Sequence, residues 1–542
     1  MKRTPLQNIL LFVVATVLLS LMVLSCGGGS GDDIDQTAAP KFPPVVFIAD
    51  KNLDGINELF AAFDDGADII KLSGTMTPGG YVTAFAVSPD GLLVAYLADQ
   101  NINDQFELYV VPADGGTAIR VSGRVLSVPN VQDDFKWSPD GSLLAYRANQ
   151  INPTNIELFT VRSDGSSNFR VSVSPLVANG NVTVFKWAPN SGFIAYIAQR
   201  TNLVRLELYN TRPGRQDNFT ISGLPVAGGT VQTFDWAPDS TRIAYLADLL
   251  TDNDADLFSN TPTGSDNQRI SGNLTNDGDV FDFAWAPDSS LVAYTADQLS
   301  DSIIELFVSP PNTNAGNLKV SGTPMAGTGV ADSGQAFGWA PDSSRIAYIA
   351  DQNTSGVFEL FTSTPDGIEN DLVSDLPDPS TDPGPDVKDF EWEPNGTLIA
   401  YVADQDTDGK FELYVSPNDS NIGNLKVSGT TMAGTGLTVY DWAPDSSRVA
   451  YTADQDENDI LELYTSTPDA SVNDIVSGVL VAGGEVQDFK WSPDSSGVGY
   501  RADQDIDNVI ELFASQPNGN ENTKLSGTLV NDGDVLSFDW VP

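Results

Sequence analysis

The chain has 542 residues, of which 27 are Lys or Arg and 74 are Asp or Glu, so it carries a formal charge of −47 at neutral pH. A field of that sign repels phosphate backbones, which excludes nucleic acid as a partner. Histidine is absent and cysteine occurs once, so the usual Ser-His-Asp and Cys-His nucleophile arrangements, zinc clusters and internal disulfides are excluded as well.

The first segment reads as an address. Lys2 and Arg3 precede an apolar run from Ile9 to Leu24, and Val23-Leu24-Ser25-Cys26 closes it. About 16 apolar residues fall short of the roughly 20 that a spanning helix needs. The segment resembles a bacterial lipoprotein signal, with Val23 where that pattern usually has leucine. The resemblance implies cleavage after residue 25 and a diacylglycerol on Cys26, with membrane attachment through that lipid. Residues 1–25 are then the signal peptide and 26–44 a lipidated cysteine and flexible tether, since Gly27-Gly28-Gly29-Ser30-Gly31 has linker composition. The implied location is the bacterial cell envelope, at the outer membrane or cell surface if the cell has two membranes.

From Val45 onward one unit recurs every 49 to 54 residues. All nine tryptophans hold one register: Trp137, Trp187, Trp236, Trp285, Trp339, Trp392, Trp442, Trp491 and Trp540. Phe85-Ala86-Val87 is a tenth copy with valine substituted. A Ser/Ala-Pro-Asp-Ser/Gly turn follows, then an apolar strand such as Val94-Ala95-Tyr96-Leu97-Ala98, a polar loop, Glu-Leu-Tyr/Phe, and Val-Ser-Gly. Four short strands per unit at this period predict a propeller blade. The repeat resembles that of TolB-type propellers over nearly all of residues 45–542, a likeness specific to fold and much less so to function.

The predicted fold is therefore all-β, a single closed β-propeller of about ten four-stranded blades, with two five-bladed rings as the alternative. The chain enters at a second strand and ends at Trp540 after a first strand, so residues 534–540 are expected to complete the blade begun by residues 45–74.

The loop between second and third strands carries the most chemistry. Asp404, Asp406, Asp408 and Glu412 follow a D-x-D-x-D-G-x-x-E spacing that places oxygen ligands around a hard cation such as Ca²⁺. It resembles the calcium loops of integrin α-subunit propellers, where aspartate stands in the final position. The same pattern carries over to Asp50, Asn52, Asp54 and Glu58, to Asp454, Asp456, Asn458 and Glu462, and to Asp503, Asp505, Asp507 and Glu511. Loops that have lost the ligands still keep Glu157 and Glu207, so a structural task for the glutamate and plain turn chemistry stand as the competing reading.

The functional expectation is a non-enzymatic envelope lipoprotein that offers the propeller as an interaction scaffold for a protein or glycan, possibly stabilised by calcium. A carboxylate-based glycosidase or polysaccharide lyase is the alternative, because paired carboxyl groups act as acid and base without histidine. Its signature would be unique polar residues aimed at the channel in one blade. A periplasmic envelope-assembly factor similar to TolB is a second alternative.

Overall fold

The computed structural model describes residues 42–542 apart from 124–130, 175, 224–225, 227, 252–253, 276–277, 324–328, 332–335, 377–385, 408, 431–436, 438 and 457–459. The leader and Cys26 lie outside the described residues.

Ten four-stranded antiparallel sheets account for the fold, and the only helical segment among the described residues is the 3-10 turn Asp64–Gly66. In eight sheets the chain runs strand by strand, as in Val280–Trp285, Val292–Ala296, Glu305–Ser309 and Leu318–Lys319 of the sixth blade. The third blade keeps the same sequence of strands, with Lys136–Trp137 at its edge. The first blade departs from it. Its strands Val45–Ala49, Glu58–Phe63 and Asp68–Lys71 take their fourth partner from Val535–Trp540 at the other end of the chain.

That closure is antiparallel, with Val45 opposite Trp540, Phe47 opposite Phe538 and Ala49 opposite Val535. Val541 N–H adds a bond to Pro44 O at 2.9 Å, and Lys51 Nζ donates to Ser526 O and Thr528 O at 2.8 Å. Closing the ring removes the exposed sheet edges that would otherwise template association.

The second strands are buried on both faces because a blade is covered by a neighbour on each side. Their tyrosines, from Tyr96 to Tyr500, are among the largest fully buried side chains. Each stacks on the aromatic ring across the strand pair, as Tyr96 on Tyr109 with centroids 5.3 Å apart. The tyrosine hydroxyl then joins blades: Gly272 N–H donates to Tyr294 Oη at 3.1 Å and Gly478 N–H to Tyr500 Oη at 3.0 Å. The serine of Val-Ser-Gly works within its own blade, where Ser73 Oγ accepts from Leu59 N–H at 3.1 Å.

Each tryptophan ties its first strand to the preceding blade. Its indole N–H donates to the carbonyl of the middle residue of the neighbour's Phe-x-Trp stretch: Trp137 to Ala86, Trp236 to Lys186, Trp285 to Asp235, Trp339 to Ala284, Trp540 to Lys490, at 3.0 to 3.3 Å. The series passes unbroken through the fifth, sixth and seventh blades, so the repeat forms one ring of ten and not two rings of five. Where Val87 replaces tryptophan, the C-terminal Val541 packs in the same apolar cluster. The turn after tryptophan needs a left-handed residue, supplied by Gly91 and Gly141 in two blades and by serine in others, such as Ser240 with φ 64°.

Candidate functional site

The acidic loops are organised by a residue that sequence reasoning placed as a metal ligand. Asp404 accepts Gly409 N–H on Oδ2 at 2.8 Å and Asp386 N–H on Oδ1 at 2.6 Å, so its carboxylate closes its own turn and fastens the entry of the first strand. Asp503 does the same with Asn508 and Glu485, and Asp50 with Gly55 and Asp534. Asp99, in a loop with weaker ligand spacing, makes an equivalent pair of bonds to Asp104 and Tyr81. The turn residues Gly55, Gly409 and Asn508 have φ of 74°, 74° and 60°, the left-handed backbone that the pattern requires at its sixth position.

The glutamate also has a structural task, though its partner is a cation on the outermost strand of its own blade and not a neighbouring turn. Glu107 pairs with Arg120 at 2.6 Å, Glu157 with Arg170 at 2.9 Å and Glu412 with Lys426 at 3.0 Å. Glu58 pairs with Lys71 and Glu305 with Lys319. In the last blade Lys524 Nζ lies 2.6 Å from Glu511 and 2.6 Å from Asp505. Lys426 likewise reaches Asp406 at 3.3 Å, and Asn52 turns its amide nitrogen toward Glu58 at 2.8 Å.

An ammonium or amide group therefore faces the closing glutamate in the loops at Asp50, Asp404 and Asp503, and these loops do not fit a divalent cation. Asp54 and Asp507 are exposed at the turn tips, and Asp408 lies outside the described residues. The Asp454 loop differs. Ile475 stands where the lysine would be, opposite Tyr464, and Glu462 accepts the Tyr464 hydroxyl. Asp456 is exposed and Asn458 lies outside the described residues. Among the described residues no group of three or more carboxylate or thiol side chains is gathered closely enough to hold a metal ion.

Arg147 and Arg501 have one arrangement in common. Arg147 Nε binds Asp134 at 2.7 Å and Arg501 Nη2 binds Asp488 at 2.6 Å, each a carboxylate on the first strand of the same blade. A second guanidinium nitrogen reaches the next blade, to Val182 O and Val535 O respectively.

With the recurring residues assigned to architecture, the positions that break the repeat become informative. Neighbouring blades approach through their first strands, which bring the middle residues of successive Phe-x-Trp stretches side by side. Two seams carry opposite charges there, Lys186 with Asp235 at 3.2 Å and Lys490 with Asp539 at 3.3 Å. Between the eighth and ninth blades, Glu391 on Val387–Trp392 instead meets Asp441 on Val439–Trp442.

Burial first, and then the Asp441 charge, push the Glu391 carboxyl up to about 8, and burial raises Asp441 as well. Two half-buried carboxyl groups this close cannot both ionise cheaply, so the pair retains a proton near neutral pH. Asp389 is raised by burial too.

The aromatic position of the same stretch is phenylalanine in the other nine blades and Tyr440 here. Its hydroxyl oxygen is sealed from solvent and lies beside Asp389 without a hydrogen bond of normal geometry. Burial, followed by the charges of Asp389 and Glu391, holds this phenol well above its ordinary range. A buried hydroxyl left without a partner costs about 1–3 kcal/mol.

A cavity of about 250 Å³ opens at this seam, lined by Lys388, Asp389, Val402, Phe411, Leu437 and Tyr440. The Lys388 ammonium stands 4.6 Å from the Phe411 ring centre. These residues were not singled out from sequence, although the substitution of tyrosine for phenylalanine at a fixed register was a readable signal.

No family model matches the sequence, and no curated protein does. Solved structures match at low identity. A eukaryotic initiation factor crystal structure aligns at 10% identity over 92% of this chain and 99% of its own, with a TM-score of 0.51. An oligogalacturonate lyase in complex with manganese aligns at 12% identity over 79% and 98% with a TM-score of 0.36. A putative TolB from Agrobacterium tumefaciens aligns at 14% identity over 51% and 88% with a TM-score of 0.28. At these identities the likeness speaks to fold alone.

Proposed function

We propose that the chain is a lipid-anchored protein of the bacterial cell envelope whose propeller is a non-enzymatic interaction scaffold for a protein or glycan. The observation that carries this reading is the assignment of the repeated carboxylates. Asp50, Asp404 and Asp503 hold backbone N–H groups, and Glu58, Glu412 and Glu511 hold cations of their own blades. Residues committed to such bonds rigidify a surface and are not free for acid–base turnover.

Lipid attachment at Cys26 supplies the membrane location in this reading, and the net charge of −47 keeps the ring off anionic lipid. The test is labelled palmitate supplied to bacteria expressing the full chain. Label on the wild type, and its loss together with release from the membrane fraction in Cys26→Ala, is the expected result. Label that persists in Cys26→Ala, or a wild type that never sediments with membranes, overturns it.

A further inference from the structure

We propose that the cavity between the eighth and ninth blades is a binding site for one neutral sugar residue, anchored by the Tyr440 hydroxyl and Asp389. The proposal rests on the scaffold reading in that it names the glycan class such a scaffold would hold.

The site departs from the repeat at two independent positions. Tyr440 replaces the phenylalanine of the other nine stretches, adding one hydroxyl to a place where packing needs only a ring. That hydroxyl is buried at the cavity, beside Asp389, and makes no hydrogen bond of normal geometry. Buried polar groups are nearly always satisfied, so an unpaired one facing a cavity points to a partner that comes from outside the chain.

The lining selects among ligand classes. Asp389, Glu391 and Asp441 repel an anion, because all three carboxyl groups crowd one seam. The aromatic face that would attract an organic cation already carries the Lys388 ammonium. What remains is a mixed set: a phenol that donates and accepts, a carboxylate that accepts and an ammonium that donates, above the apolar walls of Val402, Phe411 and Leu437. Sugar hydroxyls both donate and accept, and the carbon-bound hydrogens of a sugar ring suit apolar walls. The volume of about 250 Å³ is below the usual drug-sized range of roughly 300–1,000 Å³ and suits a single ring.

The test is calorimetric titration of the full chain with glucose, galactose, mannose and cellotriose, with galacturonic acid as the charged counterpart. Tyr440→Phe restores the residue that every other blade carries and is expected to fold; Asp235→Ala, at a seam with no such cavity, is the control. At least one neutral probe is expected to bind the wild type, with Tyr440→Phe weakening it by about tenfold or more, equivalent to about 1.4 kcal/mol, and Asp235→Ala leaving it unchanged.

Absence of heat with all four neutral probes overturns the proposal. So does equal affinity in Tyr440→Phe, or tighter binding of galacturonic acid than of any neutral probe. Palmitate labelling of Cys26 is unaffected by any of these outcomes, so failure of the cavity and failure of the envelope reading are told apart.

Discussion

Val45 stands directly opposite Trp540 in the sheet that joins the two ends of the propeller. Trp540 is 4% exposed and donates to Lys490 O of the preceding blade at 3.1 Å, so one side chain serves both the closure and a seam. Trp540→Ala is expected to destabilise the chain by about 3–5 kcal/mol, the usual range for emptying a large aromatic site in a core. Trp285→Ala should cost a similar amount, because Trp285 makes the equivalent bond to Asp235 O. The two differ in where the loosening starts. Hydrogen exchange should rise at the amides of Val45–Ala49 in Trp540→Ala and stay near wild type there in Trp285→Ala; equal exchange in both variants would remove the special role of the closing strand.

A second expectation concerns the tyrosine joints. Tyr294 Oη accepts from Gly272 N–H across the seam at 3.1 Å and donates to Gln298 Oε1 at 2.7 Å. Tyr294→Phe keeps the ring stack on Phe307 and removes only the hydroxyl. Gly272 N–H retains Gln298 Oε1 at 2.9 Å, so the loss should sit near about 1 kcal/mol, the net worth of one hydrogen bond. Equilibrium unfolding in denaturant reads it, and a loss as large as that of Trp285→Ala would mean that the joint had been misassigned.

Much of the architecture was legible because each blade repeats its solution. The tryptophan register, the Pro-Asp turn and the unmatched half-blades at the two ends specify ten sheets and a closing strand, and all of these appear in the structure. The acidic loops were less legible. D-x-D-x-D-G is a spacing that places oxygens around a cation, but it is also a spacing that lets the first aspartate cap its own turn, as Asp404 does with Gly409. The decisive residue, Lys426, lies 14 residues beyond Glu412 on another strand, and only strand pairing brings the two together. The seam at Glu391 and Asp441 was hidden for a related reason: the residues belong to different blades and become neighbours only when the ring forms.

Calcium dependence follows from the same geometry. In the wild type, Lys524 supplies the positive charge between Asp505 and Glu511. Lys524→Met removes it and leaves two carboxylates facing one another next to a turn built for a cation. The variant should lose about 1.5–3 kcal/mol in chelator, the range for a hydrogen bond to a charged group. Millimolar Ca²⁺ should raise its melting temperature more than it raises that of the wild type, because a ligand that binds only the folded state stabilises it. Parallel curves for the two chains, with and without calcium, would show that the loop does not take the ion even when vacated.

The acid pair makes a signed prediction about pH. Burial and the Asp441 charge raise Glu391 from its ordinary 4.5 to about 8 in the folded chain. Between those values the unfolded chain has released the Glu391 proton while the folded chain still holds it. Folding then takes up a proton, so the contribution of Glu391 to stability is fully present below pH 4.5, declines as pH rises and is lost above about 8. Glu391→Gln keeps the shape and the hydrogen-bonding donor without the titration. Relative to wild type, the variant should gain melting temperature steadily from pH 5 to pH 8, with the difference levelling off beyond that. Asp441→Asn should produce a gain of the same sign, because it removes the charge that opposes Glu391 ionisation. A difference between wild type and Glu391→Gln that is constant across the range would show that the two carboxyl groups do not share a proton in the folded ring, and would leave Tyr440 as the remaining distinctive polar group at that seam.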